Sequence, residues 1–186
     1  MPVVVLDTCV LFPPSLRDLL LTLAALGAYS LRWSEEILAE LHRTVTERYP
    51  DIEPKQFDNA TIGAMRSAFP GAVVTGWEEF VDQMDNDPAD RHVAAAAVAG
   101  GADTIVTLNV GDFAGRVLSD RQIRVTTPGR LVGAILDDLP ERVVDAVREM
   151  AARKRNPPMT VDEVLDALAR TPDLVGVVAQ LRELVE

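Results

Sequence analysis

Three aspartates fall where regular elements begin or end, and that placement gives them chemical interest. Asp7 closes an apolar run, Val3 to Leu6, in "VVVLDTC". Asn109 and Asp112 follow a second apolar run in "TLNVGDF", and Asp90 opens an alanine-rich stretch after "NDPAD". If those runs are strands of an open parallel sheet, their carboxyl ends share the edge where such sheets gather ligands. Carboxylates crowded there would repel and raise one another's pKa, and a divalent cation removes that cost. Mg²⁺ or Mn²⁺ takes oxygen ligands and keeps waters that a phosphate can replace. The chemistry to expect is therefore metal-dependent phosphoryl transfer.

Each acid also has a simpler reading. An aspartate closing a strand can bind turn amides, Asp90 can complement a helix dipole, and Asp112 can be an ordinary turn residue. Asp87, ahead of Pro88, reads first as a helix cap. Glu40 stands at the flank of the stripe Ile37, Leu38, Leu41 and Val45, where a solvated glutamate is the default. Glu78, Glu79, Asp82 and Asp85 read as a solvated face. His42 and His92 lack metal-ligand spacing, and Cys9 reads as a small packed residue with no partner to activate it.

The elements that must position these residues alternate strand and helix. Strands are expected at Val3–Asp7, Tyr29–Trp33, Asp103–Leu108 and Ile123–Thr127, with a short apolar piece at 73–75. Helices are expected from Ser15 or Asp18 to Ala25, from a Ser34 cap to Tyr49, from Pro54 to Phe69, weakly from Trp77 to Met84, from Asp87 to Gly100 and from Gly129 to Leu136. Continuous apolar strands alternating with helices imply a parallel sheet covered on both faces. The tail changes character. Glu141–Lys154 suits a helix, Thr160 with Glu163 is a capping-box signature, and Thr171-Pro172 starts a last helix carrying Leu174, Val177, Val178, Leu181 and Leu184. The fold class is α/β, a parallel sheet flanked by helices, with a sheet domain over 1–137 and a helical extension over 138–186.

Composition narrows the classes. Apolar residues make up 48% of 186 and no run is long enough for a bilayer span. One cysteine excludes an internal disulfide, and no signal peptide is visible, so a cytoplasmic protein is expected. The net charge of −11 argues against general affinity for nucleic acid. Local cations stand against it: Arg116, Arg121, Arg124 and Arg130 face only Asp120 in their stretch, and Arg153, Lys154 and Arg155 form a second group. They read either as a phosphate track or as scattered surface charge.

Taken together, "VVLDTCVLFPPSLRDLLLTLA", "SEEILAELHRTV" and "DPADRHVAAAAVAGGADTIVTLNVGDF" resemble the PIN-domain ribonucleases, most closely the VapC-type toxins of toxin–antitoxin pairs. The resemblance covers about 1–135, and the tail resembles the extra helices of a longer subgroup. It implies a PIN-like fold and hydrolysis of RNA to 5′-phosphate and 3′-hydroxyl ends. Asp7, Asp90 and Asp112 would hold Mg²⁺ or Mn²⁺, Glu40 would position or deprotonate the attacking water, and Thr107 and Asn109, with Asp87, would stand beside the cluster. The implied partners are an RNA substrate, a cognate antitoxin and a second copy of the chain, with no membrane. Cys9 departs from the pattern, since many members carry Asn there. Two other readings remain: a PIN fold that binds without catalysis, and a phosphatase of the haloacid-dehalogenase type. The phosphatase would need an Asp where Cys9 stands. A dinucleotide site is disfavoured because no G-x-G-x-x-G follows the first strand.

Overall fold

Prolines and short polar side chains set most of the helix starts. Ser34 accepts the Ile37 amide, Thr127 that of Arg130, and Thr160 that of Glu163, whose carboxylate answers the Thr160 amide in a complete capping box. The computed structural model describes residues 1–185. In chain order its elements are β1 (Val3–Leu6), α1 (Thr8–Leu11), α2 (Pro14–Ala25), β2 (Ser30–Ser34), α3 (Glu35–Arg48), α4 (Pro54–Phe57), α5 (Gly63–Ala68), β3 (Val73–Val74), α6 (Arg91–Ala99), β4 (Thr104–Val106), α7 (Arg116–Asp120), β5 (Arg124–Thr126), α8 (Pro128–Asp138), α9 (Pro140–Arg153), α10 (Val161–Ala169) and α11 (Val175–Val185). A π-helical turn joins α4 to α5, and 3₁₀ turns occupy Trp77–Gln83, Pro88–Asp90, Val110–Phe113 and Pro172–Leu174.

These elements form two compact units. The first holds Met1–Phe12 and Ser30–Thr126. Its five strands are all parallel, in the order β3-β2-β1-β4-β5. Successive strands move away from β1 on one side as far as β3, and the chain then returns to place β4 on the other side. The reversal falls between β1 and β4, where a crevice opens beyond the strand ends. Leu6 is in register with Val106 across that pair, so Asp7 and Thr107 leave the sheet side by side. Helix α6 packs on β1, β2 and β4, and its Ala94, Ala95, Ala96 and Ala97 are wholly buried. Their short side chains let the helix come close to the sheet.

The second unit joins α2, from Pro13–Tyr29, to the chain from Thr127 onward. The apolar side of α2 (Leu16, Leu19, Leu20, Leu23) packs with α9 and α10, and α9 also packs with α8 and α11. Arg153 reaches Asp18 at 2.9 Å, Lys154 pairs with the same carboxylate at 2.9 Å, and Arg142 donates to the Leu26 carbonyl. A division at 137 was expected from sequence. The packing instead groups α2 and α8 with the later helices, because their leucine and valine faces are covered there. Across the last 3₁₀ turn and α11, Leu174, Val177, Val178 and Leu181 are buried within this unit, while Val175 and Leu184 are exposed. That stripe is therefore core rather than a surface for a partner.

Two elements were not expected, α1 and α7, both a single turn long. The weak helix at Trp77–Met84 is a 3₁₀ turn. The helix expected to run from Asp87 is broken in two. Asp87 Oδ1 accepts the Ala89 amide at 2.9 Å and its carbonyl accepts the Asp90 amide at 3.0 Å, closing a 3₁₀ turn before α6 starts at Arg91. Asp90 is thus the residue before α6 rather than part of its first turn.

In the second unit the Gly129 amide donates to the Asp173 carboxylate, and a Cβ at Gly129 would collide with the Asp173 backbone. Gly129→Ala should lower stability by about 1–3 kcal/mol through overpacking, read as a lower urea midpoint at unchanged slope.

Candidate functional site

The Asp7 amide donates to the Val106 carbonyl at 3.0 Å, which ties the end of β1 to β4. Its carbonyl accepts the amides of Val10 and Leu11, which starts α1. The backbone is thus held on both sides, and the carboxylate is only 4% exposed. A buried carboxylate needs donors. Two reach the same oxygen, Oδ2: the Thr107 hydroxyl at 2.7 Å and the Cys9 thiol at 3.0 Å. Cys9 Sγ also lies 3.3 Å from Thr107 Oγ1 and accepts the Leu108 amide at 3.2 Å, while Thr107 Oγ1 accepts the Asn109 amide at 3.0 Å. Burial, then the Asp7 charge, pushes the Cys9 thiol up to about 12, so it stays protonated and remains a donor.

Glu40 projects from α3. Thr8 donates its hydroxyl to Glu40 Oε2, and His92 Nε2 lies 3.3 Å from the same oxygen, near enough for an ion pair though not aligned as a hydrogen bond. His92 holds the Glu40 carboxyl below the usual range, with burial opposing and Thr8 assisting. Burial disfavours charge on His92, but contact with Glu40 outweighs it and the imidazole pKa is raised. Sequence spacing gave no sign of His92 or Thr8. Their roles come from α3 meeting α1, which carries Thr8, and α6, which carries His92, and only the fold provides that.

Asp90 has the opposite character. Its carboxyl is pushed up to about 6, first by burial and then by the charges of Asp7, Asp112, Asp87 and Glu40. Asp112 lies in an exposed 3₁₀ turn whose carbonyl accepts the Asp87 amide at 2.9 Å. That bond fastens the Asp112 turn to the segment carrying Asp87 and Asp90. A cavity of about 330 Å³ is lined by Asp7, Glu40, Asp90 and Asn109, together with Thr8, Cys9 and Phe12. Asp112 is not on its wall. Among the described residues, no three His, Cys, Asp or Glu side chains converge as a ready-made metal group. Apart from the Cys9 thiol, which stays protonated, the cavity offers a cation carboxylate, hydroxyl and amide oxygens, which suits a hard cation held by one or two carboxylates and its own waters.

The arginines divide. Arg116 and Arg124 are exposed, Arg121 bonds Gln83 at 3.0 Å and lies 5.9 Å from the Phe80 ring, and Arg130 is exposed on α8 in the other unit. Asp85, read from sequence as part of a solvated face, instead accepts the amides of Arg116 and Val117 at 2.7 and 3.2 Å and so caps α7.

Residues 3–111 match the family model described as the PIN domain, a span that takes in Asp7, Glu40 and Asp90 and stops one residue short of Asp112. The chain belongs to the PIN domain family. A second model, the VapC50 C-terminal domain, matches residues 131–183 of this PIN-domain chain. A relative from Mycobacterium tuberculosis named "Putative ribonuclease VapC50" is 34% identical over 97 residues, 52% of this chain and 57% of the relative. The match thus spans little more than half the length of that curated relative. No solved structure matches.

Two outcomes check this geometry. Thr107→Val removes one of the Asp7 donors without changing shape and should destabilise the protein by about 1–3 kcal/mol in chemical denaturation at pH 7. Asp90 titrates higher in the folded chain, about 6, than the ordinary 3.8. Its ionisation therefore opposes folding as pH rises through that window and has no effect below it. Metal-free Asp90→Asn should match wild type in melting temperature near pH 4 and melt higher than wild type above pH 6.

Proposed function

We propose that this PIN-domain chain is a Mg²⁺- or Mn²⁺-dependent ribonuclease, a VapC-type toxin of the cytoplasm silenced by a cognate antitoxin. The observation that carries the reading is the convergence of Asp7, Glu40 and Asp90 on one cavity at the strand-order reversal, where burial and neighbouring acids raise the Asp90 carboxyl to about 6. Unrelieved negative charge at a ligand crevice is what a bound cation would offset. The name of the mycobacterial relative, a ribonuclease, supports the same substrate class.

Asp7, with Oδ2 occupied by Thr107 and Cys9, would offer its other oxygen to the cation. Asp90 would be the second carboxylate, and Asp112 would approach through a bridging water, in keeping with its exposed turn. A bound metal would lower the pKa of the attacking water and stabilise charge on the phosphoryl oxygens. Glu40, held by Thr8 and His92, is fixed in place and kept below the usual carboxyl range, which suits orienting that water better than taking its proton. Arg116 and Arg124 would meet the RNA backbone. An antitoxin would silence the site most simply with an arginine, whose planar fork pairs bidentately with a carboxylate. One observation favours the second reading, a PIN fold that binds without cleaving: the absence of a three-ligand group among the described residues.

The deciding test is RNA cleavage with Mg²⁺ or Mn²⁺, abolished by EDTA. Asp7→Asn and Asp90→Asn should each slow it by about 100-fold or more. Equal cleavage by both variants and wild type would sink the site assignment, and binding of RNA without any cleavage would favour the second reading.

A further inference from the structure

Helix α3 extends past the carboxylate site along one face. Glu40, Thr44 and Arg48 follow one another at four-residue steps, so Arg48 lies about 12 Å along the axis from Glu40. Thr44 lines the same cavity as Asp7 and Asp90. The helix stops at Tyr49 because Pro50 disfavours helical backbone in the residue before it, and Tyr49 is the C-cap with φ −128° and ψ 79°. Its ring is therefore carried off the end of the helix, beside the site rather than back into the core.

There it meets Phe12. The two rings are stacked, with centroids 5.9 Å apart and planes 10° from parallel. Phe12 is on the cavity wall with Asp7 and Glu40. The Arg48 guanidinium carbon lies 5.8 Å from the Tyr49 ring centroid. Aromatic residues are only 5% of this chain, and among the described residues Tyr49, 44% exposed, is the one exposed aromatic side chain. Phe12 covers one face of that ring, and Arg48, an exposed and flexible side chain lying over it, can swing aside to admit a base.

The geometry points to a base-stacking subsite, in which an unpaired nucleobase flanking the scissile phosphate stacks on the Phe12–Tyr49 pair while Arg48 meets its backbone. Aromatic faces with an adjacent arginine bind single strands without sequence preference, because every base has a π face. Continuity with the carboxylate cavity selects the occupant: a strand laid across Asp7 and Asp90 runs on to these rings. The inference rests on the ribonuclease reading and deepens it, since it names the side chains that would hold a base beside the scissile phosphate.

The test uses the full chain carrying Asp7→Asn, a short single-stranded RNA containing 2-aminopurine, and wild type for cleavage. Tyr49→Leu keeps apolar bulk against Phe12 and removes the π face, and an unchanged melting curve verifies its fold. Quenching of 2-aminopurine on binding is expected, with affinity about 5- to 100-fold weaker in Tyr49→Leu and restored in Tyr49→Phe. In the cleaving background Tyr49→Leu should raise KM and leave kcat nearly unchanged. Equal RNA affinity and KM in Tyr49→Leu would overturn the subsite while leaving the nuclease reading intact, as would a loss in Tyr49→Phe as large as in Tyr49→Leu. Loss of antitoxin affinity alone would assign the face to a protein partner and also overturn it. Tyr49-dependent binding of RNA that wild type never cuts would retain the subsite and remove the nuclease.

Discussion

A carboxylate buried at the end of a strand must be given donors, and Asp7 receives its hydroxyl donor, Thr107, only because β1 and β4 are neighbours in register. Thr107 comes from the end of β4 and Cys9 from the turn after β1, and both act on one oxygen. Remove the pairing of Leu6 with Val106 and Thr107 leaves, while Cys9, two residues from Asp7, keeps its place but loses the Leu108 amide that holds its sulfur. The strand order 3-2-1-4-5 is thus more than a topology: it makes this the one pair of adjacent strands from which the chain departs in opposite directions, leaving the crevice in which Asp7 can face a ligand.

Around that fixed point the other acids are held in unequal states. Glu40 is pinned by a hydroxyl and an imidazole and favours its charged form, while Asp90 is crowded by like charge and resists ionisation. Carboxyl groups with environments that push them apart can take different tasks in one site. Cys9 fits the same economy of donors. A thiol is a weak donor, but with Thr107 on the same oxygen and the Leu108 amide on its own sulfur it is held in line with the carboxylate.

Much of this was readable from residues alone. Ser34, Thr160 and Pro54 mark their helices, and the apolar runs at Val3 and Thr104 mark strands, because capping and burial are local in sequence. The place of Asp7, Asp90 and Asp112 near one sheet edge follows from the same pattern. His92 and Thr8 could not be read, since their contact with Glu40 depends on how α3 meets its neighbours. The break at Asp90 escaped because a 3₁₀ turn and a first helical turn share the same Asp-Pro signal, and Asp87 decides between them by bonding Ala89. The assignment of α2 to the second unit escaped for a related reason. Its leucine face says that it must be covered, not by what.

That assignment bears on how the chain is made. Helix α2 leaves the ribosome with its leucines bare, and α8 to α11, the helices that complete its unit, are synthesised only after the whole sheet. At roughly 5–20 residues per second, the interval between Ala25 and Pro128 is on the order of 5–20 s. By its end the first unit has all five strands to hand, while α2 can only wait or stick to something else. The chain therefore carries, for a fixed interval in every round of translation, an apolar helix in need of a chaperone or of its own unfinished C-terminal half. Rare codons or a stall placed between β2 and β5 would lengthen that exposure without altering a single side chain.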